Sequence, residues 1–364
     1  MLIKDIVSSL EELAPLKYAE DFDNVGLLTG SKEWEVSGVL VSLDTLEEVV
    51  DEAIEQQCNL ILSFHPIIFK GLKRLSGTSY VERAVVKAIK NDIAIYAIHT
   101  ALDNQFKGVN HGIAERLGLE NRQILIPRTN VIKKLTTYVP RAQANQLRDA
   151  LFQAGAGSIG NYDHCSFNLE GTGTFKPNED ANPVVGEKGS LHFEQETLVS
   201  VTFPQHLQAT ITSALFKAHP YEEVAYEINS LENTHQHIGM GMVGELKEAQ
   251  DEESFLKSVK QTFGTGGIRH SALLNKPIRK VAVLGGSGSF AISHAMRANA
   301  DIFITADLKY HDFFQAEGKL ILADIGHFES EQFTKDLLCD YLREKFPNFA
   351  VLLSNTNTNP IKYF

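Results

Sequence analysis

The chain has few cysteines and no long apolar run. Only three cysteines occur among 364 residues, and no two of them form a CxxC pair. A sparse, odd count argues against a disulfide framework and against thiolate metal ligation, and it favours a reducing compartment. No apolar run approaches the roughly 18 residues that span a bilayer. The first residues lack a basic segment followed by an apolar one, so we expect no secretory signal and a cytoplasmic location.

An excess of positive charge is also absent, since the formal net charge is −12 at pH 7. Nonspecific binding to nucleic acid or to anionic membranes needs a basic surface, so we expect neither. The apolar fraction of 43% and the charged fraction of 22% are typical of a globular protein. The length predicts about two or three domains, at roughly 100–200 residues each.

The first third of the chain alternates apolar strands with amphipathic helices. Strands are predicted at residues 39–41, 59–62 and 93–98, and apolar residues recur at helical spacing over 46–54 and 81–89. Continuous apolar strands separated by such helices indicate a parallel sheet that is covered on both faces.

The last third repeats this order, with strands predicted at residues 281–284, 302–304 and 320–323. Polar residues follow the corresponding strands of the two thirds in pairs, namely Asp44 with Ser287, His65 with Asp307, and Asp103 with His327. This correspondence predicts two related α/β halves that face a shared site. Open α/β sheets bind ligands at the carboxyl ends of their strands, where these residues lie.

The middle of the chain has a βαββαβ pattern, which is typical of a ferredoxin-like α+β domain. Its strands are predicted at residues 134–139, 165–169, 198–203 and 224–228, with helices near 147–154 and 211–218. We therefore predict a two-part α/β/α core, residues 1–128 and 236–364, split by an inserted domain over residues 129–235. The Gly/Pro/Asn-rich residues 171–189 are predicted to form a long loop or an irregular hairpin.

Histidine and carboxylate side chains follow three predicted strands of the core. They are His65, Asp103, His327 and Glu331. His327 and Glu331 share one helix face if a helix begins by Gly326, although Ser330 offers an alternative N-cap. Imidazole nitrogen and carboxylate oxygen without thiolate suit zinc, iron, manganese or nickel about equally. These four residues therefore predict a divalent-metal site.

A dinucleotide-binding fingerprint is the rival interpretation of the segment after the strand at 281–284. Gly286, Gly288 and Ala291 have its spacing, and Asp307 follows about 20 residues later. We prefer a tight turn at Gly286 and Ser287 whose helix N-terminus holds a substrate phosphate, because Rossmann enzymes lack the metal ligands of this pocket. Asp307 is also a candidate to orient a histidine, as outer-shell carboxylates do.

Six core segments resemble the GTP cyclohydrolase 1 type 2 homolog family, also called Ngg-interacting-factor-three-like proteins. They are residues 23–28 (DNVGLL), 65–69 (HPIIF), 99–103 (HTALD), 285–288 (GGSG), 307–312 (DLKYHD) and 326–331 (GHFESE). In the insert, residues 154–162 and 218–224 resemble the CutA/PII-like domain of the family's long bacterial members. The resemblance covers essentially the whole chain. It implies a dinuclear metal centre and a toroidal homohexamer.

By position, the resemblance implies that His65, Asp103 and Glu331 hold one metal ion, and that His327 and Glu331 hold a second. It places His99 and His311 near the pocket as candidates to move protons, and Asn24 in a segment that shapes the mouth of the pocket. The family has two consecutive histidines before the proline, whereas this chain has Phe64 at the first of these positions. Phenylalanine has no lone pair, so we expect up to two ions per chain with partial occupancy of the second position.

The resemblance implies a metal-dependent hydrolase that acts on a nucleotide or a related small molecule. In a GTP cyclohydrolase reaction, hydroxide attacks C8 of guanine, opens the imidazole ring and releases formate. The alternative is a non-catalytic metal-binding scaffold, or a metal-insertion or regulatory factor, whose insert mediates assembly. The loss of one histidine at Phe64 modestly favours this alternative.

Overall fold

The computed structural model describes residues 1–364. The chain divides into two compact units. The core unit comprises Met1–Pro127 and Gln236–Phe364, and the insert unit comprises Arg128–His235. Each unit has its own hydrophobic core.

Fifteen strands form three sheets. The strands are β1 (Gly26–Thr29), β2 (Val39–Ser42), β3 (Leu60–Ser63), β4 (Ala94–Ala97), β5 (Leu119–Pro127), β6 (Ile132–Pro140), β7 (Phe167–Phe175), β8 (His192–Pro204), β9 (Tyr226–Leu231), β10 (Gly239–Gln250), β11 (Arg269–His270), β12 (Ile278–Ser287), β13 (Ile302–Ala306), β14 (Ile321–Asp324) and β15 (Val351–Leu353).

Eleven α-helices accompany these strands. They are α1 (Ile3–Leu13), α2 (Glu47–Glu55), α3 (Tyr80–Lys90), α4 (His99–Asp103), α5 (Val109–Arg116), α6 (Ala144–Gln153), α7 (Gln208–Ala218), α8 (Glu252–Phe263), α9 (Ile292–Arg297), α10 (His327–Glu331) and α11 (Thr334–Lys345). No helix combines the length and the apolar composition that are needed to cross a membrane.

The first sheet of the core unit has the strand order β1-β4-β3-β2-β15. Strands β2, β3, β4 and β15 are parallel, and β1 is antiparallel to β4. Every residue of β2, β3 and β4 is buried, which explains their unbroken apolar sequences. Helices α2 and α3 pack on one face of this sheet, and α1 and α11 contribute to the core on the other.

The second sheet has the order β11-β14-β13-β12-β10-β5, in which β12, β13 and β14 are parallel. The sequential order β14-β13-β12 in this sheet matches β4-β3-β2 in the first. Antiparallel strands β10 and β5 extend the sheet beyond β12. The core therefore consists of two α/β halves with corresponding strands, and the predicted fold class is confirmed.

The insert unit is a four-stranded antiparallel sheet in the order β7-β8-β6-β9, with the chain order β6-α6-β7-β8-α7-β9. This is a ferredoxin-like arrangement. Helices α6 and α7 bury Leu147 and Ile211 with strand residues such as Val199. Strand β7 continues to Phe175, so the connection to β8 is shorter than the predicted loop of residues 171–189.

Candidate metal centre

His65 lies just beyond the carboxyl end of β3 in the first sheet. Its backbone N–H donates to the carbonyl of Leu43, 2.9 Å away, which ties the turns that follow β2 and β3. The hydroxyl of Ser63 donates to the carbonyl of His65 at 2.8 Å. These two bonds fix the backbone from which the imidazole projects.

His327 and Glu331 come from the second sheet, on the short helix α10 that follows β14. Gly326 precedes the helix with φ +94°, a left-handed conformation that favours glycine. The helix begins at His327, so the alternative start at Ser330 is wrong. Residues four apart share one helix face. His327 and Glu331 are therefore presented together at the end of β14.

The two imidazoles meet at one carboxylate oxygen. His65 Nε2 lies 3.1 Å from Glu331 Oε2, and His327 Nε2 lies 3.0 Å from the same oxygen. One ligand atom from each of the three side chains lies within 4.8 Å of the others. Two nitrogens and one oxygen at this separation form a candidate set of metal ligands.

The unsatisfied polar atoms of this group fit a cation. His65 Nε2, Glu331 Oε2 and Asp103 Oδ1 are all buried and lack a hydrogen bond of acceptable geometry. Buried polar atoms without partners are rare because each costs free energy. Burial, followed by the negative charge of Glu331, raises the pKa of Asp103 well above its usual range. A divalent ion would satisfy these lone pairs and balance the carboxylates.

In both imidazoles, the ring nitrogen that faces away from Glu331 is Nδ1, and an aspartate lies within hydrogen-bond distance of it. Asp44 Oδ1 lies 2.8 Å from His65 Nδ1, and Asp307 Oδ2 lies 2.7 Å from His327 Nδ1. A proton on each Nδ1 then leaves Nε2 as the nitrogen with the lone pair. Histidines that bind metal ions usually donate their other ring N–H to a carboxylate in this way.

The charges of the group strongly shift its proton affinities. Burial opposes ionisation of Glu331, but His327 and His65 outweigh it and hold the pKa of this carboxyl well below its usual range. Burial also disfavours a charged His65, yet Asp44 and Glu331 raise its pKa to about 9. Against the same burial, Glu331 and Asp307 raise the pKa of His327 to about 11. Without metal, the group retains protons that balance its carboxylates.

An open cavity of about 630 Å³ adjoins the three side chains. Aromatic rings line part of it, from Phe22, Phe69, Phe290 and Phe328. Polar residues on its walls include Asp44, Asp103, Ser287, Asp307 and Asn359. Apolar rings beside a few polar groups are typical of small-molecule sites, and they suit a planar heterocycle with polar substituents.

The structure brings most of the predicted site residues to this cavity. His65, His99, Asp103, Ser287, Asp307, His327 and Glu331 all line it. His99 Nδ1 lies 3.0 Å from Asp23 Oδ1, and its ring centroid lies 5.1 Å from that of His65. Asp103 lines the cavity but lies outside the close group of His65, His327 and Glu331.

Three predicted site residues do not line the cavity. His311 is exposed, and its ring packs edge-on against Tyr310 with centroids 5.2 Å apart. Asn24 instead donates from Nδ2 to the carbonyl of Ile68 (2.5 Å), so it braces the loop after His65. Gly286 lies behind the site, where a Cβ atom would be 2.4 Å from Glu331 Oε1.

This packing also argues against the dinucleotide interpretation. The carboxylate of Glu331 occupies the space beside Gly286 that a pyrophosphate would need, and its negative charge would repel a phosphate. The following helix is short, with a 3-10 turn at Ser289–Ala291 and six residues in α9. The turn therefore makes room for a metal ligand.

Phe64 contributes no ligand atom. Its side chain is fully buried, and its ring centroid lies 4.9 Å from His65 and 5.4 Å from His99. It thus fills, with an apolar ring, the position next to two imidazoles.

Sequence reasoning missed two sets of functional neighbours. The sequence places Asp44 after a predicted strand and Asp23 in a segment that resembles the family, but the pairing of these aspartates with His65 and His99 depends on how the loops fold. The segment Asn359, Pro360 and Ile361 also lines the cavity. The polar run of residues 354–359 (SNTNTN), which ends at Asn359, is the available signal in the sequence.

Fold and site together define an α/β protein in which two related sheets present a His/Glu group beside a cavity. A family model described as Duf34/NIF3 (NGG1p interacting factor 3) matches residues 1–360. The chain belongs to the DUF34/NIF3 family. The predicted resemblance is thereby confirmed.

Similar proteins span the same length. A Bacillus subtilis (strain 168) protein called "GTP cyclohydrolase 1 type 2 homolog" is 39% identical over 366 residues, which are 99% of this chain and 98% of that protein. The crystal structure of a Bacillus cereus protein related to NIF3 has a TM-score of 0.87 at 38% identity, covering 100% of this chain and 99% of that one. Staphylococcus aureus protein SA1388 has a TM-score of 0.79 at 31% identity, with the same coverage.

Proposed function

We propose that the chain binds a divalent metal ion through His65, His327 and Glu331 and hydrolyses a nucleotide or a related small molecule in the adjoining cavity. The observation that carries this proposal is the convergence of two imidazole Nε2 atoms on one oxygen of Glu331, at 3.1 and 3.0 Å. Asp103 would complete the ligand set with its buried, unpaired Oδ1. Nitrogen and oxygen ligands suit zinc, iron, manganese or nickel.

The residues of the chain prepare the site for hydrolysis. When bound there, a divalent ion supplies Lewis-acid chemistry, which lowers the pKa of water from 15.7 to about 7. Asp44 and Asp307 orient the two imidazoles before any ligand arrives. This preorganisation reduces the cost of assembling the site during the reaction.

His99 is the residue proposed to move a proton. Asp23 occupies its Nδ1 at 3.0 Å, so Nε2 is the nitrogen that can exchange a proton with a substrate. Asp23 is itself fixed, because the backbone N–H of Thr100 donates to its second oxygen at 3.0 Å. A carboxylate–imidazole pair of this kind is a suitable general acid or base.

The proposed substrate is a purine nucleotide, and GTP is the first to test. Phe22 and Phe69 line the cavity with ring centroids 6.3 Å apart, and a base can pack against such rings. The names of the curated relatives point to the same substrate, as homologs of a GTP cyclohydrolase. A homohexamer and a cytoplasmic location remain predictions, and light scattering of the purified protein tests the first.

Formate release from GTP tests the catalytic proposal. Protein loaded in turn with Zn²⁺, Mn²⁺, Fe²⁺ or Ni²⁺ should release formate, and His327→Ala should abolish the release. His270→Ala is the matched control, because His270 is an exposed histidine that does not line the cavity. Absence of turnover with GTP and with a panel of other nucleotides and phosphoesters would contradict the hydrolase proposal.

One observation favours the second candidate, a metal-binding scaffold or metal-insertion factor. Phe64 puts a buried apolar ring beside His65 and His99, which removes a donor from the pocket. A protein that binds stoichiometric metal and turns over none of the tested substrates would support this function.

A further inference from the structure

The segment after β15 crosses the core unit toward the metal centre. Ser354 leaves the sheet with its N–H bonded to the carbonyl of Val41 at 2.8 Å. Glu52 of α2 then accepts bonds from the Ser354 hydroxyl (2.6 Å), the Asn355 N–H (2.8 Å) and the Thr356 hydroxyl (2.7 Å). This anchor, which we call the Glu52 anchor, sets the path of the residues that follow.

This path places Thr358 behind His65, next to Asp44. Its side chain is almost fully buried, and its hydroxyl donates to Asp44 Oδ2 at 2.5 Å. The other oxygen of Asp44 lies 2.8 Å from His65 Nδ1. Both oxygens of Asp44 are thus occupied, one by the imidazole and one by a hydroxyl from 314 residues further along the chain.

The next residue reaches the other half of the site. Asn359 Nδ2 donates to Glu329 Oε1 at 3.2 Å, and Glu329 is a buried residue of α10. Helix α10 also carries His327 and Glu331. Adjacent residues Thr358 and Asn359 therefore contact the supports of ligands from both sheets.

A second aspartate that orients a histidine is also held by a hydroxyl, and there the hydroxyl comes from the residue next to the histidine. Asp23, which pairs with His99, accepts from the hydroxyl of Thr100, the residue directly after that histidine. In the loop after β2, the neighbouring Thr45 has a hydroxyl, but this hydroxyl is buried and makes no hydrogen bond to Asp44. The distant Thr358 supplies the equivalent bond, which stops the carboxylate from rotating about its last side-chain bond.

We propose that Thr358 is a positioning residue of the metal centre, which holds Asp44 so that Asp44 holds His65 with Nε2 directed at Glu331. The inference rests on the proposed metal function, and it adds Thr358 to the residues that support the metal centre. Loss of a direct carboxylate partner of a metal-bound histidine costs about 10- to 100-fold in affinity. Thr358 acts one bond further away, so we expect a loss of about 3- to 10-fold.

Co²⁺ binding tests the proposal, measured by competition with a chromophoric chelator and by the visible spectrum of the bound ion. Thr358→Val should weaken Co²⁺ binding by about 3- to 10-fold and shift the spectrum. Thr358→Ser keeps the hydroxyl and should bind like the wild type. Thr29→Val is the matched control, since Thr29 is a buried threonine of the same unit whose hydroxyl bonds to the backbone of Ile93 and Ile95 and not to Asp44.

Three results would overturn the proposal. They are wild-type affinity in Thr358→Val, equal weakening by Thr358→Ser, and equal weakening by Thr29→Val. If the wild type binds no Co²⁺, a ¹⁵N-histidine NMR spectrum of the metal-free protein tests whether Thr358 affects the bond between Asp44 and His65. Thr358→Val should then shift the His65 Nδ1 resonance and leave that of His327 in place. Unchanged spectra would reject the role of Thr358, whereas absent Co²⁺ binding with a shifted resonance would reject only the metal function.

Discussion

At the scale of single residues, the site centres on Glu331. Its carboxylate is buried, it contacts the imidazoles of His65 and His327, and it occupies the space that the missing Cβ of Gly286 leaves open. A buried carboxylate is costly unless cations or hydrogen bonds compensate it. Here protonated imidazoles or a metal ion can do so, and the same geometry serves both.

Glu331→Gln should weaken metal binding by more than about 100-fold, because it removes the only charged ligand of the close group and costs more than an outer-shell change. Titration with Zn²⁺ in a calorimeter measures this. Glu344→Gln is the control, since Glu344 is an exposed residue of α11. An affinity within about threefold of the wild type would remove Glu331 from the ligand set.

Phe64→His should raise the metal content from about one to about two ions per chain, because an imidazole can supply the ligand that phenylalanine lacks. Elemental analysis of protein dialysed against Mn²⁺ or Zn²⁺ reports the ratio. Phe64→Leu keeps the position apolar and should leave the content unchanged. Two ions in the wild type would show that the second position needs no donor at residue 64.

At the scale of elements, strands with a buried apolar run were predictable, and strands that mix buried with exposed residues were not. β2, β3, β4, β12, β13 and β14 are fully or largely buried, so their unbroken apolar runs identify them in the sequence. β5 and β10 mix buried with exposed residues, and their apolar runs are interrupted by charged side chains and glycine. Their pairing joins residues more than 100 positions apart, for which no local pattern is available.

The same limit applies to the candidate site. Spacing after strands was enough to identify His65, His327 and Glu331. The bond from Thr358 to Asp44 depends on the path of the segment after β15, which no periodicity records. His311 follows β13, which lies beside β14 in the second sheet, yet His311 is exposed because it lies in the 3-10 helix Tyr310–Ala316.

Gly286→Ala tests the turn that accommodates Glu331. Gly286 has φ +65°, and its added Cβ would lie 2.4 Å from Glu331 Oε1. Gly318→Ala is the control, since Gly318 has the same φ of +65° with no atom within 4 Å of its Cβ. Both variants should lose about 1–3 kcal/mol from backbone strain, and Gly286→Ala should in addition lose metal affinity.

Zn²⁺ titration and urea unfolding separate these two effects. Equal metal affinity in the two glycine variants would mean that Glu331 can move without loss of the site.

At the scale of the whole molecule, the core unit builds one site from two sheets. β4-β3-β2 and β14-β13-β12 each present their carboxyl ends, and α4 and α10 follow the two outer strands of these sets. His65 comes from one half, and His327 and Glu331 come from the other. Metal binding should therefore stabilise the core unit as a whole, because the ion binds the folded arrangement and not the separated halves.

The metal-free protein should lose stability as the pH rises above about 6.5. The pKa of His65 is raised from 6.5 to about 9, and that of His327 is raised from 6.5 to about 11. The folded state then binds more protons than the unfolded state in this window, so the free energy of unfolding is highest below about pH 6.5 and falls as the pH approaches 9.

Urea unfolding of chelator-treated protein from pH 6 to 9.5 measures this dependence, and the double variant His65→Gln/His327→Gln should show a flatter profile. Zn²⁺ should stabilise the wild type more at higher pH, because the ligands must release protons to bind it. A stability that rises with pH in the metal-free wild type, but not in the double variant, would contradict the assigned charges.

Anomalous diffraction from crystals soaked in Zn²⁺ tests the central claim most directly. We expect a peak bonded to Nε2 of His65, Nε2 of His327 and Oε2 of Glu331, at about 2.0–2.2 Å from each. The peak should vanish in His327→Ala crystals grown and soaked in the same way. A zinc ion bound elsewhere, with this group left without metal, would contradict the account.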